Sequence, residues 1–142
     1  MVDDSVSSNK RAAQVFLATI DAISHKNADW PAQQALITPE FSLHPPDGQS
    51  PPTDFGGLKE FSTVFTAGFP GYQHVIEDQI EEDDKVVNRI TWQGTHNGAF
   101  NGVEATHRTV SMNIINIMRF ENGKVAEYWI LADVVGLMKQ IS

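Results

Sequence analysis

The sequence predicts an α+β fold. Apolar residues recur at helical spacing before residue 70, and they alternate in period two beyond it. A strong hairpin signal, Asn122-Gly123, sits between the last two alternating runs. Helices gathered first and strands gathered afterwards give α+β rather than alternating α/β. The strands are long, and a strongly twisted sheet covered on one face by helices curls. The expected architecture is cone-shaped, with a curved, mostly antiparallel sheet, the N-terminal helices on its concave face and a pocket at the open end.

Residues 1–7 read as a disordered tail and 8–142 as a single domain, with no internal repeat. Ser7 or Ser8 caps a helix reaching about Lys26, with the apolar stripe Ala12, Val15, Phe16, Ile20 and Ile23. Asp29-Trp30-Pro31 opens a second, short helix with proline in its first turn. Phe41-Ser42-Leu43-His44 is extended. The prolines and glycine of His44 to Asp54 exclude helix and central strand. That segment is either an ordinary surface loop or a lid, and residues 44–57 are expected to close part of the pocket. Gly57 to Gly68 is helical, with Leu58, Phe61 and Phe65 on one side, and Phe69-Pro70-Gly71 stops it.

Residues 72–82 then form a strand with His74, Ile76 and Ile80 on one face. Val86 to His96 places Asn88, Ile90, Trp92, Gly94 and His96 together. Residues 107–121 do the same for Val110, Met112, Ile114, Asn116, Met118 and Phe120. The strand after Asn122-Gly123 ends at Asp133 and carries Glu127, Trp129 and Leu131 on the same side as that aspartate. Val134 to Ile141 is a closing helix.

Composition limits the function. The 142 residues suffice for one domain with a real core. With 10 basic and 18 acidic residues the net charge is −8, which argues against nucleic acid as a partner. Without cysteine there is no disulfide, thiolate ligand or cysteine nucleophile. The acidic, polar start is unlike a signal peptide, and no apolar run reaches membrane-spanning length, so a cytoplasmic, soluble protein is expected with no membrane partner. No short His-x-x-x-His spacing is present, and neither a metal nor an organic cofactor is expected.

Among titratable residues Asp133 stands first, because a carboxylate beside the apolar Trp129 and Leu131 has the environment of an acid–base group. It sits equally well as the N-cap of the last helix. Glu127 lies about 20 Å from it along an extended strand, too far for a carboxylate pair. His96 either polarises a carbonyl or is satisfied at its strand end, and His107 resembles it. Asn116 interrupts an apolar face and serves either a ligand or the core. Trp92 and Trp129 suit a flat ligand or the core alike. His44 and Phe65 are placed at the pocket.

The ordered set Gly94-Thr95-His96, Gly98, Phe100, Gly102, Ala105-Thr106, Arg108, Arg119-Phe120, Gly123-Lys124-Val125, Glu127, Trp129 and Asp133, closing with Leu137-Met138-Lys139-Gln140, resembles the SnoaL-like polyketide cyclases. These belong to the nuclear-transport-factor-like superfamily. Two departures are Gly71 after Phe69-Pro70, where an acidic residue is usual, and His107, where glycine is common. The resemblance implies a cofactor-independent intramolecular aldol ring closure of a small hydrophobic or polycyclic carbonyl substrate. Asp133 matches the family's aspartate and would be the base, with His96 and Asn116 at the developing oxygen charge. Trp92, Trp129, Asn116, His107, His44 and Phe65 would bind substrate. A homodimer is expected. Relatives on this fold also hydroxylate, isomerise, dehydrate, open epoxides or do no chemistry, so hydroxylase, dehydratase, isomerase and non-catalytic binding or dimerisation domain remain alternatives.

Overall fold

A computed structural model describes residues 6–25 and 28–142. Residues 1–5 of the expected tail and Lys26 lie outside them. The elements run α1 (Ser8–Ser24), α2 (Trp30–Gln34), β1 (Ile37–His44), α3 (Phe55–Gly68), β2 (Gln73–Glu82), β3 (Lys85–Thr95), β4 (Thr109–Glu121), β5 (Lys124–Ala132) and α4 (Val134–Gln140). The five strands form one curved sheet in the order β1-β5-β4-β3-β2. β2 to β5 pair antiparallel, and β1 joins β5 in parallel. The α+β expectation holds. Among the described residues no helix is long and apolar enough to cross a membrane.

Each helix starts where a side-chain oxygen can take up an orphan N–H. Ser7 accepts from Lys10, Asp29 from Ala32, Asp54 from Gly57 and Asp133 from Gly136. On α1 the buried stripe is Ala13, Phe16, Leu17, Ile20 and Ile23; the expected Val15 is half exposed, because the inward face is centred one residue further round.

The strand faces of β3 and β4 are as read from alternation. Val86, Asn88, Ile90 and Trp92 face Met118, Asn116, Ile114 and Met112 on the buried side. Helices α1 and α3 pack on this side, with Phe16 edge-on to Tyr128 and Phe65 edge-on to Trp92. The Asn122-Gly123 turn has positive φ at both residues, the geometry of a two-residue hairpin.

Two strands depart from expectation. In β2 the register against β3 shifts between Ile76 and Asp78. This bulge exchanges the faces, so Gln79 turns inward and Ile80 is 60% exposed. In β5 Glu127, Trp129 and Leu131 do share a face, but it is the outer one. Tyr128, Ile130 and Ala132 are the residues opposite Met118, Asn116 and Ile114, so they point inward and Leu131 is 67% exposed.

The Gly-x-Phe-x-Gly segment has a packing reason. A Cβ at Gly98 would lie 1.9 Å from the Ala67 carbonyl oxygen at the end of α3, so only glycine fits. Phe100 is thereby seated against Phe65 and Phe69. The loop before α3 is tied back by two hydrogen bonds between Leu43 and Thr53.

Candidate active site

A cavity opens between α1, α3 and the inner face of the sheet. Its walls are Leu17 and Ile20 from α1, Leu58, Phe61, Ser62 and Phe65 from α3, Tyr72 and His74 at the start of β2, Trp92, Met112, Ile114, Tyr128, Ile130 and Ala132. It measures about 540 Å³ with its mouth.

No Asp, Glu, Lys or Arg lines the walls, and the polar groups are Ser62, Tyr72, His74 and Tyr128. His74 is bound to Asp21 of α1 twice. Its backbone N–H donates to Asp21 Oδ2 at 2.9 Å, and its ring Nδ1 lies 2.6 Å from Asp21 Oδ1. A carboxylate only accepts, so Nδ1 carries a proton, and in the neutral ring Nε2 keeps a free lone pair. No described residue hydrogen-bonds Nε2, and the side chain is 9% exposed. An imidazole whose Nδ1 is held by a carboxylate and whose Nε2 has no partner among the described residues is placed to exchange a proton with a ligand in the cavity. Burial pushes the hydroxyls of Tyr72 and Tyr128 above the usual phenol range, so both stay neutral donors.

The residues singled out in the sequence fall into three places. Trp92 and Phe65 line the cavity. Asn116 stands just behind it, its Nδ2 donating to the Tyr128 oxygen at 3.2 Å. The others lie elsewhere. Asp133 is exposed, and its Oδ1 accepts from Gly136 N–H at 2.9 Å as the cap of α4. His96 is 0% exposed beneath the Phe69 ring; its Nδ1 lies 3.1 Å from the Thr106 backbone nitrogen, and it is not in the wall. His107 is exposed beside Asn97. His44 and Trp129 are stacked on each other on the outer face, at 5.0 Å and 7°. There His44 Nε2 meets Glu127 Oε2 at 2.6 Å, and Arg119 Nε donates to Glu127 Oε1 at 3.2 Å. Residues 44–57 contribute nothing to the wall, so the expected lid is a surface loop here. Among the described residues no group of three or more His, Asp or Glu side chains is placed to hold a metal.

Sequence reasoning passed over Asp21, His74, Tyr72 and Tyr128. The available signal was Asp21, an acid on the buried shoulder of α1 one residue after Ile20 and four after Leu17. Tyr72 and His74 also share the strand face of Ile76.

The chain matches the profile of the SnoaL-like polyketide cyclases over residues 13–141. A SnoaL-like protein from Jannaschia sp. CCS1, proposed as a polyketide cyclase, superposes with a TM-score of 0.81 at 20% identity, covering 100% of this chain and 96% of that one. A proposed polyketide cyclase from Bacillus cereus ATCC 10987 gives 0.76 at 27% identity, covering 99% and 88%. IdmH from Streptomyces antibioticus, also a proposed polyketide cyclase, gives 0.75 at 25%, covering 89% and 96%. A search of curated protein sequences found no match.

Proposed function

Because the chain belongs to the SnoaL-like polyketide cyclase family, we propose that it is a cyclase- or isomerase-type enzyme acting on a small polyketide-like carbonyl compound. His74 is the general base and Asp21 orients it. The observation that carries this reading is the 2.6 Å contact between His74 Nδ1, on the wall of a mostly apolar cavity, and Asp21 Oδ1.

His74 Nε2 takes a proton from the carbon beside a carbonyl, and the electron pair moves onto the carbonyl oxygen as an enolate. Asp21 stabilises the imidazolium that forms. In ring closure the enolate carbon attacks a second carbonyl of the same molecule, and the imidazolium returns its proton to the new alkoxide. In isomerisation the proton returns to another carbon. The apolar walls keep water from quenching the enolate. Asp133 takes no part in this scheme, since it is exposed and engaged with α4. Pairing of two copies through the outer sheet face, where Ile115 and Leu131 lie opposite each other and exposed, belongs to the same proposal.

The test is hydrogen–deuterium exchange beside the carbonyl of 2-tetralone, a flat bicyclic ketone, followed by NMR in heavy water. The wild type is expected to exceed buffer, and His74→Gln to lose about 10²–10⁴-fold of that excess. Equal rates in the two proteins would remove His74 from the mechanism. A wild type that binds the ketone without accelerating exchange would make the domain a binder.

A further inference from the structure

A row of amides crosses the inner face of the sheet and ends at the cavity. Gln79 of β2 stands opposite Asn88 of β3, and Asn88 opposite Asn116 of β4. The β2 bulge is what turns Gln79 into this row. Asn88 is 0% and Asn116 1% exposed, so each amide group must be paired within the protein.

A side-chain amide can face either way, but one contact fixes all three. Gln79 Nε2 donates to the Lys10 backbone carbonyl at 3.1 Å, and a carbonyl only accepts. The same nitrogen donates to Asn88 Oδ1 at 2.9 Å. Asn88 must then present Nδ2, which donates to Asn116 Oδ1 at 2.7 Å. Asn116 in turn presents Nδ2 to the Tyr128 oxygen. Gln14 Nε2, donating to Gln79 Oε1 at 2.8 Å, obeys the same polarity.

The row therefore delivers an N–H to the Tyr128 oxygen and leaves the Tyr128 O–H to donate. Among the described residues that proton has no acceptor, and the tyrosine lines the cavity. A buried donor without an acceptor is costly unless a ligand or water completes it. Each bond in such a chain strengthens the next, by about 10–30%.

We propose that Tyr128 donates its hydroxyl proton to the carbonyl oxygen of the bound substrate, and that Gln79, Asn88 and Asn116 are positioning residues that set its direction. The ligand class is a ketone or its enolate entering oxygen-first. This inference rests on the cavity being the reacting site, as proposed above, and it adds the group that receives the developing negative charge.

The test uses 2-tetralone labelled with carbon-13 at the carbonyl, read by isotope-edited infrared difference spectroscopy alongside the exchange assay. The wild-type complex is expected to show a carbonyl band lowered from its position in water. Tyr128→Phe should lose that lowering and about 10²–10³-fold in exchange. Gln79→Leu, at the part-exposed end of the row, should keep the fold and show an intermediate band. The same bound band in wild type and Tyr128→Phe would overturn the donor assignment, and an unchanged band in Gln79→Leu would overturn the positioning role. The two readings fail separately. Exchange with an unshifted band retains His74 and discards Tyr128, whereas a shifted band without exchange retains Tyr128 and discards His74. A probe that gives no bound band discards the ketone-binding cavity and both readings with it.

Discussion

Asp21→Asn tests the base through its tautomer. The wild-type carboxylate accepts twice from His74, from the backbone N–H at Oδ2 and from ring Nδ1 at Oδ1. An asparagine has one acceptor and one donor end. The backbone N–H cannot reverse its role, so it claims the amide oxygen, and the amide NH₂ is left facing Nδ1. Nδ1 must then accept, the ring proton moves to Nε2, and the nitrogen facing the cavity becomes a donor. Contacts are conserved in number, so stability should fall by only about 1 kcal/mol. Catalysis should lose the whole general-base contribution, about 10²–10⁴-fold. That loss corresponds to about 2.7–5.4 kcal/mol of barrier at about 1.36 kcal/mol per tenfold. Nitrogen-15 NMR of the imidazole reports which ring nitrogen is protonated, and ketone exchange reports the rate. A ring that keeps its proton on Nδ1 in Asp21→Asn, or an unchanged rate, would refute the reasoning.

Asp133→Ala should cost about 0.5–2 kcal/mol in urea unfolding as a lost helix cap, and leave ketone exchange at the wild-type rate. Collapse of exchange in a folded variant would return Asp133 to the chemistry. At Glu127, burial works to raise the carboxyl, but hydrogen bonds from His44 and Arg119 outweigh it and hold it below its usual value. Its stabilisation is then complete above about pH 4.3 and is lost as pH falls through the depressed value. The urea-midpoint gap between wild type and Glu127→Gln should shrink below that pH, and a constant gap down to about pH 3 counts against the network. If two copies pair through the outer face, Leu131→Glu should give monomers in sedimentation, and a wild type that is monomeric throughout would dismiss the pairing.

The parts legible in the sequence are those governed by near neighbours. Alternation placed Asn88, Ile90 and Trp92 together, and Met112, Ile114, Asn116 and Met118 opposite them, as the register has it. Asn122-Gly123 announced its turn because few residues accept positive φ in succession. Alternation does not say which face of a strand looks inward, so it groups Trp129 with Leu131 and Asp133 but leaves open that this face is the outer one. That choice is made by the β4 register, through Met118 opposite Tyr128. The β2 bulge leaves no local mark, and it decides where Gln79 and Ile80 point. The Asp21–His74 pair depends on α1 crossing the start of β2, with the partners 53 positions apart. His96 was assigned to the correct face, but Phe69 closes over it, a contact that depends on how the end of α3 is stopped.

The parallel edge has a consequence for the order in which the chain can be built. Among the described strands β1's neighbour is β5, and the His44–Glu127 contact across that seam spans 83 positions. β2 and β3 meet through a two-residue turn and β4 follows after residues 96–108, so these three can assemble before β5 is made, as local contacts do. During synthesis β1 emerges long before its partner and carries the apolar Ile37, Phe41 and Leu43 with no strand to cover them. Until β5 has left the ribosome, this segment is an open template for other chains. Truncations or stalls ahead of β5 should therefore yield aggregates rather than a smaller folded core, and a fusion partner is better tolerated before α1 than between β4 and β5.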